Sequence, residues 1–342
     1  MAYSNVGTPI FYCDNNLFLK SNGTDDSYAS NPIANLYPSS YTWEEDTLNE
    51  GWYWTYFSTS LKPVNYIAVL GHNLGGKSKI YAATPDGSGI SGEQFAINGG
   101  DGNVGMGSRV PYNGFSLYSF PTQDTQVTLY IGDPIGGTTY EDEIDANYPN
   151  FVAKICSISM GMSYTMPHSP ELSLTMSREM DGLEKIRTKG GSDLVNYKYT
   201  KPALWNGFPA WEIYHSGASD IIHEKISKLS RSGRRIWDLS FNYLQESDVF
   251  PDVNMLTNFE TEGYSSGGSI YHDTSNTLLT DTSFFGNVLH KVGNHTPFIF
   301  QPDSNDHNPQ NLAICKLDMN SFSFTQQSND VWSIKLKIKE VW

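Results

Sequence analysis

The string Gly71-His-Asn-Leu-Gly-Gly-Lys77-Ser78 has the spacing of a phosphate-binding loop, G-x-x-x-x-G-K-[ST]. Such a loop grips phosphate through backbone N–H groups. It needs a helix opening directly behind it, so that the first amides and the helix dipole face the anion. The sequel here is Lys79-Ile-Tyr-Ala-Ala-Thr-Pro85-Asp-Gly87. Its alternation, followed by Pro and Gly, leaves no room for three helical turns. Tyr130-Ile-Gly-Asp133 is a poor substitute for the second, metal-binding strand of a nucleotide site. The expected structure is a hairpin loop between Tyr66–Leu70 and Lys79–Ala83, and no cofactor is expected.

Other reactive patterns are thin. Asp303, Asp306 and His307 fall in one polar loop, but their spacing matches no standard ligand set, so no metal site is expected. Neither G-x-S-x-G nor H-E-x-x-H occurs. Acid pairs such as Glu141-Asp-Glu143 are inevitable among 37 carboxylates. Glycoside hydrolysis needs two of them at a set separation across a cleft. No catalytic residue is assigned, and the chain is not expected to be an enzyme. Trp52, Trp54 and Tyr56 share one face of a predicted strand. Exposed, they would stack on sugar rings; buried beside an apolar strand, they are core. With His72 and Asn73 they form the candidate carbohydrate-binding set.

The elements that must position these residues are strands. Of 342 residues, 13% are aromatic and only 17% charged, with 30 Gly and 17 Pro. Amphipathic helices need many charged residues on their wet faces, whereas this chain offers Tyr, Thr, Ser and Gly, which suit strands and tight turns. The length predicts two domains. The net charge of −15 argues against a nucleic-acid or anionic-membrane binder. Residues 1–165 hold 6 Lys and Arg against 16 Asp and Glu, a balance of −10. The basic residues gather in the second half, around Arg178–Lys201 and Lys225–Arg235. Three distant cysteines suggest neither a disulfide framework nor a zinc site. The first residues lack the basic and apolar regions of a signal peptide, and no apolar run approaches 18 residues.

Period-two alternation predicts strands over Trp52–Phe57, Gly114–Phe120, Gln126–Ile131, Phe151–Met162 and Leu172–Met176. Val64–Leu70 is apolar on both faces, as for a strand inside a sandwich. Residues 84–108 read as Gly-rich loop. Ile236-Trp-Asp-Leu-Ser-Phe and Val331-Trp-Ser-Ile-Lys-Leu share one pattern, that of antiparallel strands with one wet face. Phe298–Phe300 and Ala313–Leu317 add two strands. Ile221–Leu229 and Phe284–Val292 are the helix candidates. The domain boundary is placed near Met162–Pro170.

Val64-Asn-Tyr-Ile-Ala-Val-Leu-Gly-His-Asn-Leu74 resembles a phrase of phage tail proteins, where an apolar strand followed by Gly-His-Asn-Leu belongs to a galactose-binding-like jelly roll. The second half resembles predicted phage virion structural proteins. The matching stretches are Thr188-Lys-Gly-Gly191, Tyr199-Thr-Lys-Pro-Ala203 with Trp205, Ser232-Gly-Arg-Arg-Ile-Trp-Asp-Leu-Ser-Phe241, Ser247-Asp-Val-Phe250 and the Trp332-centred end. The resemblance touches about half the chain.

It implies an all-β chain of two sandwiches: a galactose-binding-like jelly roll over 1–165, and a tail-hub-like assembly domain over 166–342 with one or two short helices. The implied role is a minor tail, tail-tip or baseplate component, made in the host cytoplasm and built into the virion. The expected partners are other virion proteins and further copies of the chain, with a host surface glycan as a further option and neither nucleic acid nor membrane insertion. Trp205, Trp211, Arg231, Arg234 and Arg235 are the expected interface residues, since aromatics and Arg are enriched in such patches. The rival readings are a carbohydrate-binding receptor module, a capsid-associated protein and a host-envelope glycan hydrolase.

Overall fold

The computed structural model describes residues 6–14, 19–21, 43–45, 52–57, 63–74, 80–83, 94–97, 112–123, 126–131, 133–135, 139–141, 153–155, 157–172, 174–179, 183–197, 204–205, 208–209, 214–215, 233–255, 263–264, 270–271, 278, 280–306 and 311–341. Most of the described residues lie in strands and the helices are only short pieces, so the fold is all-β.

Twelve strands of the described residues join in one main sheet. They are β1 (Ile10–Asp14), β2 (Val64–His72), β3 (Gln94–Ile97), β4 (Tyr112–Gln123), β5 (Ser157–Thr165) and β6 (Thr175–Glu179), then β7 (Tyr214–His215), β8 (Arg234–Gln245), β9 (Phe298–Gln301), β10 (Ala313–Leu317), β11 (Phe324–Ser328) and β12 (Val331–Glu340). The order across the sheet is β6-β8-β12-β10-β9-β1-β5-β2-β4-β7, with β11 also on β12 and β3 also on β4. β1 is the seam: it pairs with β5 on one edge and β9 on the other, both antiparallel. Strands from either side of residue 165 therefore meet through five residues near the start of the chain.

The seam is buried on both faces, and alternation along it sorts its side chains. Phe11 and Cys13 enter one core and Tyr12 the other. β9 divides likewise, Phe298 and Phe300 against Ile299, and β10 sends Ala313, Cys315 and Leu317 one way and Ile314 the other. Phe11 anchors the first core, its ring centroid 5.6, 5.5 and 5.3 Å from those of Phe284, Phe298 and Phe300. Each such side chain contributes roughly 1.5–3 kcal/mol by burial.

Two short helical segments flank this core. The first, α1 (Glu246–Val249), follows β8 directly and inserts Val249. The second, α2, is a π-turn at Phe285–Leu289 running into an α-turn at His290–Val292, and it contributes Val288, Leu289 and Val292. Ser283 starts it: the Gly286 N–H donates to Ser283 Oγ at 3.2 Å, and the Ser283 hydroxyl donates to the Asp281 carboxylate. This is the predicted Phe284–Val292 helix. The other helix candidate, Ile221–Leu229, lies outside the described residues.

The two look-alike segments of the second half pair with each other. Ile236 lies opposite Lys339 and Leu244 opposite Trp332, with a bulge between Phe241 and Leu244. Trp237, Leu239 and Phe241 face Ile334, Leu336 and Ile338 in the core, while Asp238 and Lys335 are exposed. β12 is fully engaged: β8 occupies one edge, while β11 and β10 share the other.

Two expectations need correction. β2 and Ile80–Ala83 do not form a hairpin. β2 has both edges taken, by β5 and β4, so it has none left for the segment that follows. Ile80–Ala83 instead pairs with Gln126–Ile131 in a separate four-stranded sheet that includes Leu19–Ser21 and Trp52–Phe57. Within the predicted 84–108 loop, β3 adds to the free side of β4, Phe95 lying opposite Tyr118.

Candidate functional site

The Gly-His-Asn-Leu phrase sits at the end of β2. Gly71 has φ 65°, a left-handed conformation that side chains strain to adopt. The register against β4 shifts there, from Leu70 opposite Phe115 to His72 opposite Gly114. Beyond this bulge His72 is fully buried. Its Nε2 lies 2.9 Å from Ser116 Oγ, and the Leu74 N–H donates to its Nδ1 at 3.4 Å.

That backbone donor fixes the tautomer. A backbone N–H can only donate, so Nδ1 carries the lone pair and Nε2–H donates to Ser116. A serine nucleophile needs the opposite arrangement, with Nε2 accepting and Nδ1–H held by a carboxylate. Ser116 is also fully buried, and its hydroxyl meets the Tyr118 phenol, whose pKa burial pushes up. The pair thus locks β2 to β4 and cannot act as a base with its nucleophile. Asn73 is buried beside it.

Of the other carbohydrate candidates, Trp52, Trp54 and Tyr56 lie on the strand Trp52–Phe57 in the four-stranded sheet, apart from the sheet that carries His72 and Asn73. Trp54 is opposite Leu129 and Tyr56 opposite Val127, and both of those partners are fully buried. Residues 75–79, which complete the phosphate-loop string, lie outside the described residues, and a strand resumes at Ile80.

Among the interface candidates, Arg235 is held within the chain. Its backbone N–H donates to Glu340 Oε2 at 2.9 Å, Nε donates to the same oxygen at 3.1 Å, and Nη2 donates to Glu340 Oε1 at 2.9 Å. Nη2 also donates to the Leu312 carbonyl at 2.6 Å, and the guanidinium lies 5.4 Å from the Trp237 ring centre. Glu340 is 3% exposed. On the other edge of β8, Arg178 lies opposite Arg235 and Glu179 opposite Arg234. Burial and the neighbouring Arg235 charge hold the Arg178 guanidinium below its ordinary value. Glu179 also meets Lys339 of β12. A strip of charged residues, with Arg178 beside Arg235 as well as acid–base pairs, thus crosses β6, β8 and β12 at one end of the sheet. Trp205 lies opposite Phe208 in a two-residue pairing; Trp211 and Arg231 lie outside the described residues.

The polar loop after β9 is wired to itself and to the seam. Tyr12 donates from its hydroxyl to Gln301 Oε1 at 2.8 Å, and Gln301 Nε2 donates to the carbonyls of Asp303 and Asp306 at 3.0 and 3.2 Å. The Asp303 carboxylate accepts from the Asn305 N–H and that of Asp306 from Asn311 Nδ2. Its acids are thus engaged in turn geometry; His307 lies outside the described residues. Among the described residues no cluster of three or more His, Cys, Asp or Glu could hold a metal ion, and no helix is long and apolar enough to cross a membrane.

Sequence reasoning overlooked the Glu340 clamp and the Tyr12–Gln301 link. Each joins residues more than a hundred positions apart, and only the pairing of β8 with β12 and of β1 with β9 brings them together. It also overlooked a projecting hairpin, Leu183–Arg187 paired with Asp193–Tyr197. Its turn is closed by Thr188, whose Oγ1 donates to the Ser192 carbonyl, with Gly191 at φ 84°.

Comparison of the chain with family models, with curated proteins and with solved structures finds no match.

Proposed function

We propose that the chain is a structural component of a phage virion, a minor tail, tail-tip or baseplate protein that acts by assembly. The observation that carries this reading is the place of the phage-like segments in the fold. Gly71-His-Asn-Leu forms a bulge and a buried lock. Arg234–Phe241 forms a strand clamped at its start by Glu340 and buried along one side. Segments resembling virion proteins are thus spent on a rigid frame, as a building block requires. The galactose-binding-like jelly roll over 1–165 and the hub-like sandwich over 166–342 belong to the same proposal. So do its partners, other virion chains and further copies of itself.

The test is compositional and positional. Particles of the phage encoding this chain are purified, their proteins counted by mass spectrometry, and the chain located by cryo-electron microscopy. The expected result is a fixed, low copy number at the tail or tail tip. Absence from purified particles, or turnover of a host glycan by the isolated protein, overturns the proposal.

A further inference from the structure

We draw no further inference here: the strongest candidate, the projecting hairpin of Leu183–Arg187 and Asp193–Tyr197 with its exposed cross-strand pair Ile186 and Leu194, carries nothing, because nothing in the structure shows what covers it.

Discussion

Arg235 of β8 and Glu340 of β12 form a bidentate ion pair, with side chains 13% and 4% exposed. Removing one partner strands a buried charge, which costs about 3–5 kcal/mol. Arg235→Ala is therefore expected to lower the denaturant midpoint severely. The paired replacement Arg235→Met with Glu340→Leu is expected to recover most of the loss. Lys337 and Asp318, a pair 44% and 42% exposed, provide the contrast: Lys337→Ala should cost less than about 1 kcal/mol. Equilibrium urea unfolding of the four proteins checks all three expectations, and equal losses for the buried and the surface pair would refute them.

His72 is expected to matter for stability. His72→Leu removes one hydrogen bond from the buried Ser116 hydroxyl and the acceptor of the Leu74 N–H, a cost of about 1–3 kcal/mol. Gly71→Ala should cost about 1–2 kcal/mol by a different route, since φ 65° strains any residue with a Cβ. Thermal melts of the two variants read both effects. A His72→Leu protein as stable as the wild type would show that the lock contributes nothing.

Phe11 is the most consequential single side chain of the seam, because it meets three phenylalanine rings and is fully buried. Phe11→Ala is expected to cost about 3–5 kcal/mol. Hydrogen exchange should report the loss at β9 and β5 together, since both pair with β1. Faster exchange at β5 alone would mean that the seam does not couple them.

Alkaline conditions should weaken the fold through the buried acids. Burial pushes the Cys13 thiol up to about 12 from an ordinary 9.0, and the Cys315 thiol well above it. The folded core holds these thiols neutral, whereas the unfolded chain releases their protons near 9.0. Their contribution is whole below pH 9 and is lost as the pH rises through about 12. Urea midpoints taken from about pH 8 to about pH 11 should fall steadily. Cys13→Ala should flatten that slope while lowering stability at neutral pH, and an unchanged slope would discount the thiol.

Much of the second half was legible because β8 and β12 each have one wet face, so their alternation survives in the sequence: Asp238 and Lys335 are exposed between buried Trp237, Leu239, Ile334 and Leu336. The seam strand was not legible. Ile10-Phe-Tyr-Cys-Asp is short and buried on both faces, so it shows no alternation, and its partners lie some 150 and 290 residues away. The hairpin expected across Gly71–Ser78 failed because closeness in sequence was taken for pairing, when β5 and β4 had already claimed both edges of β2. The identity of His72 was plain, but its direction was set by the bulge at Gly71, a backbone angle that residue types alone do not report. Arg235 drew notice as a surface cation; Glu340, which takes it up, lies 105 residues away.

The pairing of Phe11 with Phe300 also sets a timetable. A ribosome extends a chain by about 5–20 residues per second, so roughly 15–60 s separate the synthesis of these two residues. Through that interval one side of the strand at Ile10–Asp14 lacks its mate and offers hydrogen-bonding groups to any other extended segment nearby. Newborn chains crowded on one messenger are most at risk of cross-pairing in this window, and emergence of the Phe298–Gln301 segment brings it to a close.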